Sequence, residues 1–168
     1  MTTCFLMDQL MADDDLRSGR TWHIMPCVDP DGARLNEGWF AGPFNIRNYA
    51  RNFYRPRSQD QVEWSFPIEY KTLKWTTPKP ETEGLMKAIE LARPALMYSL
   101  HNAGFGGAYY YITSELAKEY YDVLHTIPVK RGIALSLGEP EVPWASEFYP
   151  GVYRMCPITD AYDYYEKY

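Results

Sequence analysis

The stretch ALMYSLHNAGFGG, residues 95–107, joins a short apolar run to the polar His101 and a glycine-rich segment. An apolar run of this length predicts a buried strand, and Arg93-Pro94 just before it ends any preceding helix. The glycines then allow a tight turn and a close approach of the backbone to a ligand. Ligands of open α/β sheets bind beyond the carboxyl ends of strands, so His101 is a candidate functional residue. A structural histidine at a strand end is an equally good interpretation of its position.

The bulk composition restricts the class of protein. The chain has 168 residues, of which 46% are hydrophobic, and this suffices for one domain over residues 1–168 with a core. The formal net charge of −5 argues against a nucleic-acid partner, which would need a concentrated basic face. No apolar run approaches the roughly 20 residues of a membrane-spanning helix. Three widely spaced cysteines and the lack of a signal-peptide pattern predict a cytoplasmic protein.

Hydrophobic periodicity predicts an α/β fold with a mixed, mostly parallel sheet flanked by helices. Helices are expected over residues 4–11, 80–92 and 115–124. Strands are expected over residues 21–28, 95–101, 108–112 and 131–138. The helix predicted over residues 80–92 leads directly into the strand that ends at His101. Together they form half of a crossover unit.

Two loop segments carry local signals. The sequence DPDG at residues 29–32 predicts a turn, because proline presets φ, aspartate bonds its own backbone and glycine takes positive φ. Glu139 and Glu141 lie two residues apart in an extended loop and could form a carboxylate pair. We expect both carboxylates to be solvated and not to form a functional pair.

Residues 33–70 show little periodicity and are rich in arginine, asparagine, glycine and aromatic residues. A long irregular stretch within a compact domain is usually functional. The guanidinium groups of five arginines suit a carboxylate or phosphate ligand: Arg34, Arg47, Arg51, Arg55 and Arg57. For any single one of these arginines, pairing with a nearby acid on the surface is the more common role.

Four short segments occur in an informative order: PCVDPDG (residues 26–32), ARNF (50–53), PET (80–82) and SLH (99–101). They resemble segments of the zinc carboxypeptidases of the carboxypeptidase A type, which have Asn-Pro-Asp-Gly, Asn-Arg-Asn-Phe, Pro-Glu-Thr and Asp-Leu-His at these places. Asp29 and Ala50 stand where that family has asparagine. The resemblance covers roughly residues 20–115.

The resemblance implies a carboxypeptidase-like fold and zinc-dependent hydrolysis of peptides from the C-terminal end. In that family an upstream His-x-x-Glu supplies two zinc ligands, a later histidine is the third, and a downstream glutamate is the general base. Carried over to this sequence, His101 is the third zinc ligand and Arg51 holds the substrate's C-terminal carboxylate. The implied partner is a peptide or peptide-like substrate with a free C-terminal carboxylate.

The rest of that catalytic set does not occur in the sequence. Neither His23 nor His125 begins a His-x-x-Glu, and no downstream glutamate matches the general base. A single imidazole does not hold a catalytic zinc, which needs three protein ligands. We therefore expect the chain to be the central segment of such an enzyme, with an incomplete carboxypeptidase-like fold and no activity alone.

Two hypotheses about function stay open. In the first, the parent protein is a zinc metallocarboxypeptidase. In the second, the chain is a non-catalytic binding or interaction module that keeps the sheet and the arginine-rich, aromatic segment without the metal. An α/β hydrolase is not supported, since the sequence has no Gly-x-Ser-x-Gly. Because an incomplete sheet has open edges, we also expect a homo-oligomer.

Overall fold

A computed structural model describes residues 2–101 and 106–168 and shows a mixed helix-and-sheet protein. The chain divides into two compact units, an N-terminal unit (Met1–Met97) and a C-terminal unit (Tyr98–Tyr168). The single domain over residues 1–168 stays a prediction. The α/β class is confirmed at this general level.

The N-terminal unit is mainly helical. Its α-helices are α1 (Thr2–Ala12), α2 (Asp14–Arg17), α3 (Pro30–Leu35), α4 (Glu37–Phe40), α5 (Ile46–Asn52) and α6 (Pro80–Ala92). Short 3₁₀ helices cover Ser58–Asp60 and Val62–Trp64. Strands β1 (Ile68–Tyr70) and β2 (Leu73–Trp75) form an antiparallel hairpin.

The C-terminal unit contains a small mixed sheet. Its elements are β3 (Tyr110–Ile112), α7 (Lys118–Lys130), β4 (Glu147–Tyr149), β5 (Val152–Arg154) and α8 (Ile158–Lys167). The strand order is β3-β5-β4, with β3 parallel and β4 antiparallel to the central β5. Residues 131–138 form no strand, and within them Leu135 makes an isolated parallel bridge to Ala108, the first residue of the strand predicted over residues 108–112.

Three predicted strands are wrong, those over residues 21–28, 95–101 and 131–138. Residues 95–101 form neither helix nor strand, and the side chains of Leu96 and Tyr98 are 85% and 73% exposed. Residues 21–28 also lack regular structure. Apolar character favours burial, but a strand forms only when its backbone groups pair with a neighbouring strand. Residues 102–105, which belong to the predicted glycine-rich turn, lie outside the described residues.

The helix predictions are confirmed where the sequence carries clear terminal signals. Helix α6 begins at Pro80, in its first turn, and ends before Arg93, which takes a left-handed φ of 43°. The predicted turn at residues 29–32 is instead the start of α3, where the Asp29 side chain caps the helix by accepting from the Gly32 N–H at 3.0 Å. Helix α7 begins three residues later than predicted, at Lys118, and continues to Lys130.

The core of the N-terminal unit includes a directed chain of buried hydrogen bonds. The Lys79 N–H donates to the Ser65 hydroxyl at 3.2 Å, and the Ser65 and Thr82 hydroxyl oxygens lie 2.5 Å apart. The Thr82 hydroxyl donates to the Val62 carbonyl at 2.9 Å, so the chain is consistent if Ser65 donates to Thr82. Ser65 and Thr82 are fully buried, and these bonds fix the first turn of α6 against the second 3₁₀ helix.

The core of the C-terminal unit lies between its sheet and α7. Val152 and Tyr153 on β5 are buried, and Tyr121 of α7 stacks on Tyr149 of β4 with ring centroids 5.0 Å apart. The Tyr110 hydroxyl on β3 donates to the Leu124 carbonyl of α7 at 2.9 Å. These contacts fix the sheet against the helix.

Candidate functional site

Arg51, the predicted carboxylate contact, lies on α5 in the N-terminal unit. Its side chain is exposed and makes no hydrogen bond or ion pair with any residue that the structure describes. A guanidinium group is always charged near neutral pH and offers a planar fork of donors to a carboxylate. Arg51 is therefore free to bind an anion from solution.

Asparagine side chains hold the helix that carries Arg51. The Asn48 amide donates to the Gly38 carbonyl of α4 at 3.1 Å, and the Asn52 amide donates to Asn48 at 2.9 Å. A Cβ atom at Gly38 would lie only 2.6 Å from the Asn52 side-chain oxygen, so α4 and α5 approach closely at this glycine. At the start of α5, Asn45 accepts from the Asn48 N–H at 2.9 Å.

Aromatic packing completes the contact between α4 and α5. The Trp39 ring lies 5.1 Å from Tyr49 and 6.5 Å from Phe53, and the last two rings lie 4.8 Å apart. The tilted and edge-on geometries are those that aromatic pairs prefer. Together with the asparagine bonds, this packing fixes which face of α5 points outward.

Asn36 is the centre of a second network in the same unit. Its buried amide nitrogen donates to the carbonyls of Gly32 and Tyr54, at 2.8 and 2.9 Å. Its oxygen accepts from the Trp39 indole N–H at 2.7 Å and from the Tyr54 N–H at 3.0 Å. Asn36 thus ties α3 and α4 to the segment that follows α5.

The other arginines of the segment differ in their contacts. Arg57 pairs with Asp60 at 3.0 Å, as expected for a surface arginine, and Arg55 donates to the Gln61 side chain at 3.2 Å. Arg47 is exposed and, like Arg51, has no partner among the described residues. The side chain of Arg34 is exposed and without a partner among the described residues as well, but it lies on α3. The spacing of four residues within α5 is what separates Arg47 and Arg51 from the rest.

An open apolar cavity of about 300 Å³ lies beside α5 and is lined by Trp39, Pro43, Phe44, Asn45, Ile46 and Tyr49. At 3.6 residues per turn, Ile46 and Tyr49 lie roughly 150° around the helix from Arg47 and Arg51. The cavity and the arginine pair therefore use different faces of α5.

His101, the predicted zinc ligand, lies in the C-terminal unit. Its side chain is exposed and makes no hydrogen bond or ion pair with a described residue. Over residues 2–101 and 106–168, no three histidine, cysteine, aspartate or glutamate side chains are grouped so that they could hold a metal ion. The described residues consequently do not form a zinc site, and His101 offers a single imidazole.

Tyr109 and Glu141 form a contact that the sequence analysis missed. Glu141 was expected to be solvated, but its carboxylate accepts from the Tyr109 hydroxyl at 2.6 Å across 32 positions of sequence. Burial, followed by this hydrogen bond and the negative charge of Glu141, raises the pKa of Tyr109 to about 12. The pair attaches the loop after residue 138 to the sheet.

We expect Glu141→Gln to lower the pKa of Tyr109 towards 10, without reaching it because burial remains. The folded protein keeps the Tyr109 proton to higher pH than the unfolded chain, so the stability that this group contributes is lost as the pH rises from 10 towards 12. Nuclear magnetic resonance of the labelled tyrosine ring carbons measures the pKa. Glu139→Gln, in the same loop, is the matched control and should leave it unchanged.

Comparisons with protein-family models, with curated proteins and with solved structures find no match to this chain. In the part of the chain that the structure describes, no helix combines the length and the apolar character needed to cross a membrane. The function must therefore be argued from the side chains themselves.

Proposed function

We propose that this chain comes from a zinc-dependent metallocarboxypeptidase and carries a zinc ligand and a carboxylate-binding residue of that enzyme. Arg51 binds the C-terminal carboxylate of a peptide or peptide-like substrate, and His101 is one zinc ligand. The observation that carries the proposal is the exposed Arg51 guanidinium, which has no partner among the described residues and lies in the segment ARNF, where the resemblance expects the carboxylate contact.

On this proposal, the catalytic groups of the enzyme come only in part from the described residues. The described residues supply one imidazole, so the remaining zinc ligands and the general base come from elsewhere, and the chain alone does not hydrolyse peptides. The proposed fold is an incomplete carboxypeptidase-like one with a mostly parallel sheet. The parallel pairing of β3 with β5 and the parallel bridge between Ala108 and Leu135 support it.

The proposed setting is the cytoplasm, with a peptide and not a nucleic acid as partner. Cys4, Cys27 and Cys156 are all free thiols, which agrees with a reducing compartment. A homo-oligomer is part of the proposal too, because the outer edge of β4 has no strand partner among the described residues.

The alternative is a non-catalytic binding or interaction module. It is favoured by the finding that side chains in the described ranges make no group able to hold a metal ion. On that hypothesis Arg51 binds an anionic partner, and His101 has no special relation to zinc.

Zinc titration of the full chain distinguishes the two hypotheses. We expect weak binding that prefers His101, so His101→Ala removes the tightest component of a calorimetric titration. His23 is exposed as well, and His23→Ala is the matched control that should leave this component in place. Equal zinc binding by the two variants would contradict the zinc assignment and favour the module.

A further inference from the structure

Arg47 and Arg51 share one face of α5. They are four residues apart in a helix, so their Cβ atoms are about 5–6 Å apart and their side chains extend from neighbouring turns. Both are exposed, and neither contacts an acid among residues 2–101 and 106–168. The two guanidinium groups therefore form an uncompensated pair of positive charges.

The packing of α5 keeps this pair turned outward. Asn48 and Asn52 occupy one face of the helix and bond towards Gly38, while Tyr49 packs its ring against Trp39. Rotation of the helix about its axis would break these contacts. The two arginine side chains consequently extend from a face of α5 whose orientation is fixed.

Such an arrangement has an electrostatic cost that a ligand can remove. Like charges at this spacing destabilise a helix. The chain as a whole carries a net charge of −5, so its overall field repels an acidic ligand. Any preference for additional negative charge on a ligand must therefore arise from a local feature, and the arginine pair is such a feature.

We propose that Arg47 is a second carboxylate contact beside Arg51, and that the two select peptides ending in glutamate or aspartate. This inference rests on the proposed function, because it takes Arg51 as the contact for the terminal carboxylate. Arg47 then binds the carboxylate of the last side chain. An acidic C-terminal residue carries its two carboxylates at the ends of a short carbon chain, which matches two guanidinium groups on adjacent helical turns.

The test uses two N-acetylated tripeptides that differ only in the last residue, glutamate or glutamine. Their affinities for the full chain are measured by following the arginine Nε–H signals in a nuclear magnetic resonance titration. We expect the glutamate peptide to bind about threefold more tightly, the size of an exposed charge pair. Arg47→Gln should abolish this preference and lower the affinity for the glutamine peptide less than the affinity for the glutamate peptide.

The control variant is Arg131→Gln, which removes one positive charge from the end of α7 in the other unit. It should preserve the preference, which separates a local contact from a change in net charge. The inference is overturned if the wild-type chain binds the two peptides equally, or if the control lowers the preference as much as Arg47→Gln. If the wild-type chain binds neither peptide, the proposed function fails together with the inference.

Discussion

Replacing Gly107 by alanine is expected to destabilise the C-terminal unit by about 3 kcal/mol. A Cβ atom at this position would lie 2.0 Å from the carbonyl oxygen of Ala134 and 2.7 Å from the carbonyl carbon of Leu135. These are backbone atoms, so they cannot move aside as the end of a flexible side chain would. The Ala108 N–H also donates to the Ala134 carbonyl at 2.7 Å, and relieving the clash would break that bond.

Urea denaturation followed by circular dichroism measures this change in the free energy of unfolding. Gly138→Ala is the matched control, because a Cβ atom there meets nothing within 4 Å. If the two alanine variants unfolded at the same urea concentration, the result would contradict the close packing of Gly107 against the backbone of Ala134.

Asn36→Ala should destabilise the N-terminal unit by about 3 kcal/mol. The substitution removes four hydrogen bonds and leaves the Trp39 indole N–H and both backbone groups of Tyr54 without their partner. We expect a large loss because Asn36 itself is buried, and polar groups that lose a partner at a buried position are costly.

Tryptophan fluorescence during denaturation reports this effect, because Trp39 itself loses its acceptor. Asn45→Ala is the control, since Asn45 is an exposed helix cap and its loss should cost about 1 kcal/mol. If Asn36→Ala destabilised the protein less than Asn45→Ala, the result would contradict the hydrogen-bond network of Asn36.

The parts of the fold that could be predicted from sequence are those encoded locally. Helix α6 follows from Pro80 in its first turn, its apolar spacing and the Pro94 stop. The strand predicted over residues 95–101 failed because its pairing depends on a neighbour that local sequence does not specify. The same limitation applies to residues 21–28. The pattern DPDG predicts a turn, but an Asp-Pro pair is equally suited to cap and begin a helix, as it does at α3.

In the candidate site, too, the features encoded by local sequence could be predicted, and those that depend on tertiary packing could not. The segment ARNF pointed to Arg51, and the spacing of Arg47 to Arg51 was readable once a helix was known to cover both. The Asn36 contact with Tyr54 joins residues 18 positions apart, and the Tyr109 contact with Glu141 joins residues 32 apart. Contacts at such separations are set by tertiary packing, so a single sequence does not reveal them.

The most direct test of the proposed carboxylate site compares one peptide in two forms, with a free C-terminal carboxylate and with a C-terminal amide. The glutamine-ended tripeptide is suitable, since its side chain is neutral. We predict that the full chain binds the acid about tenfold more tightly than the amide, and that Arg51→Gln removes the difference while Arg131→Gln keeps it. Equal binding of the acid and the amide by the wild-type chain would contradict the account.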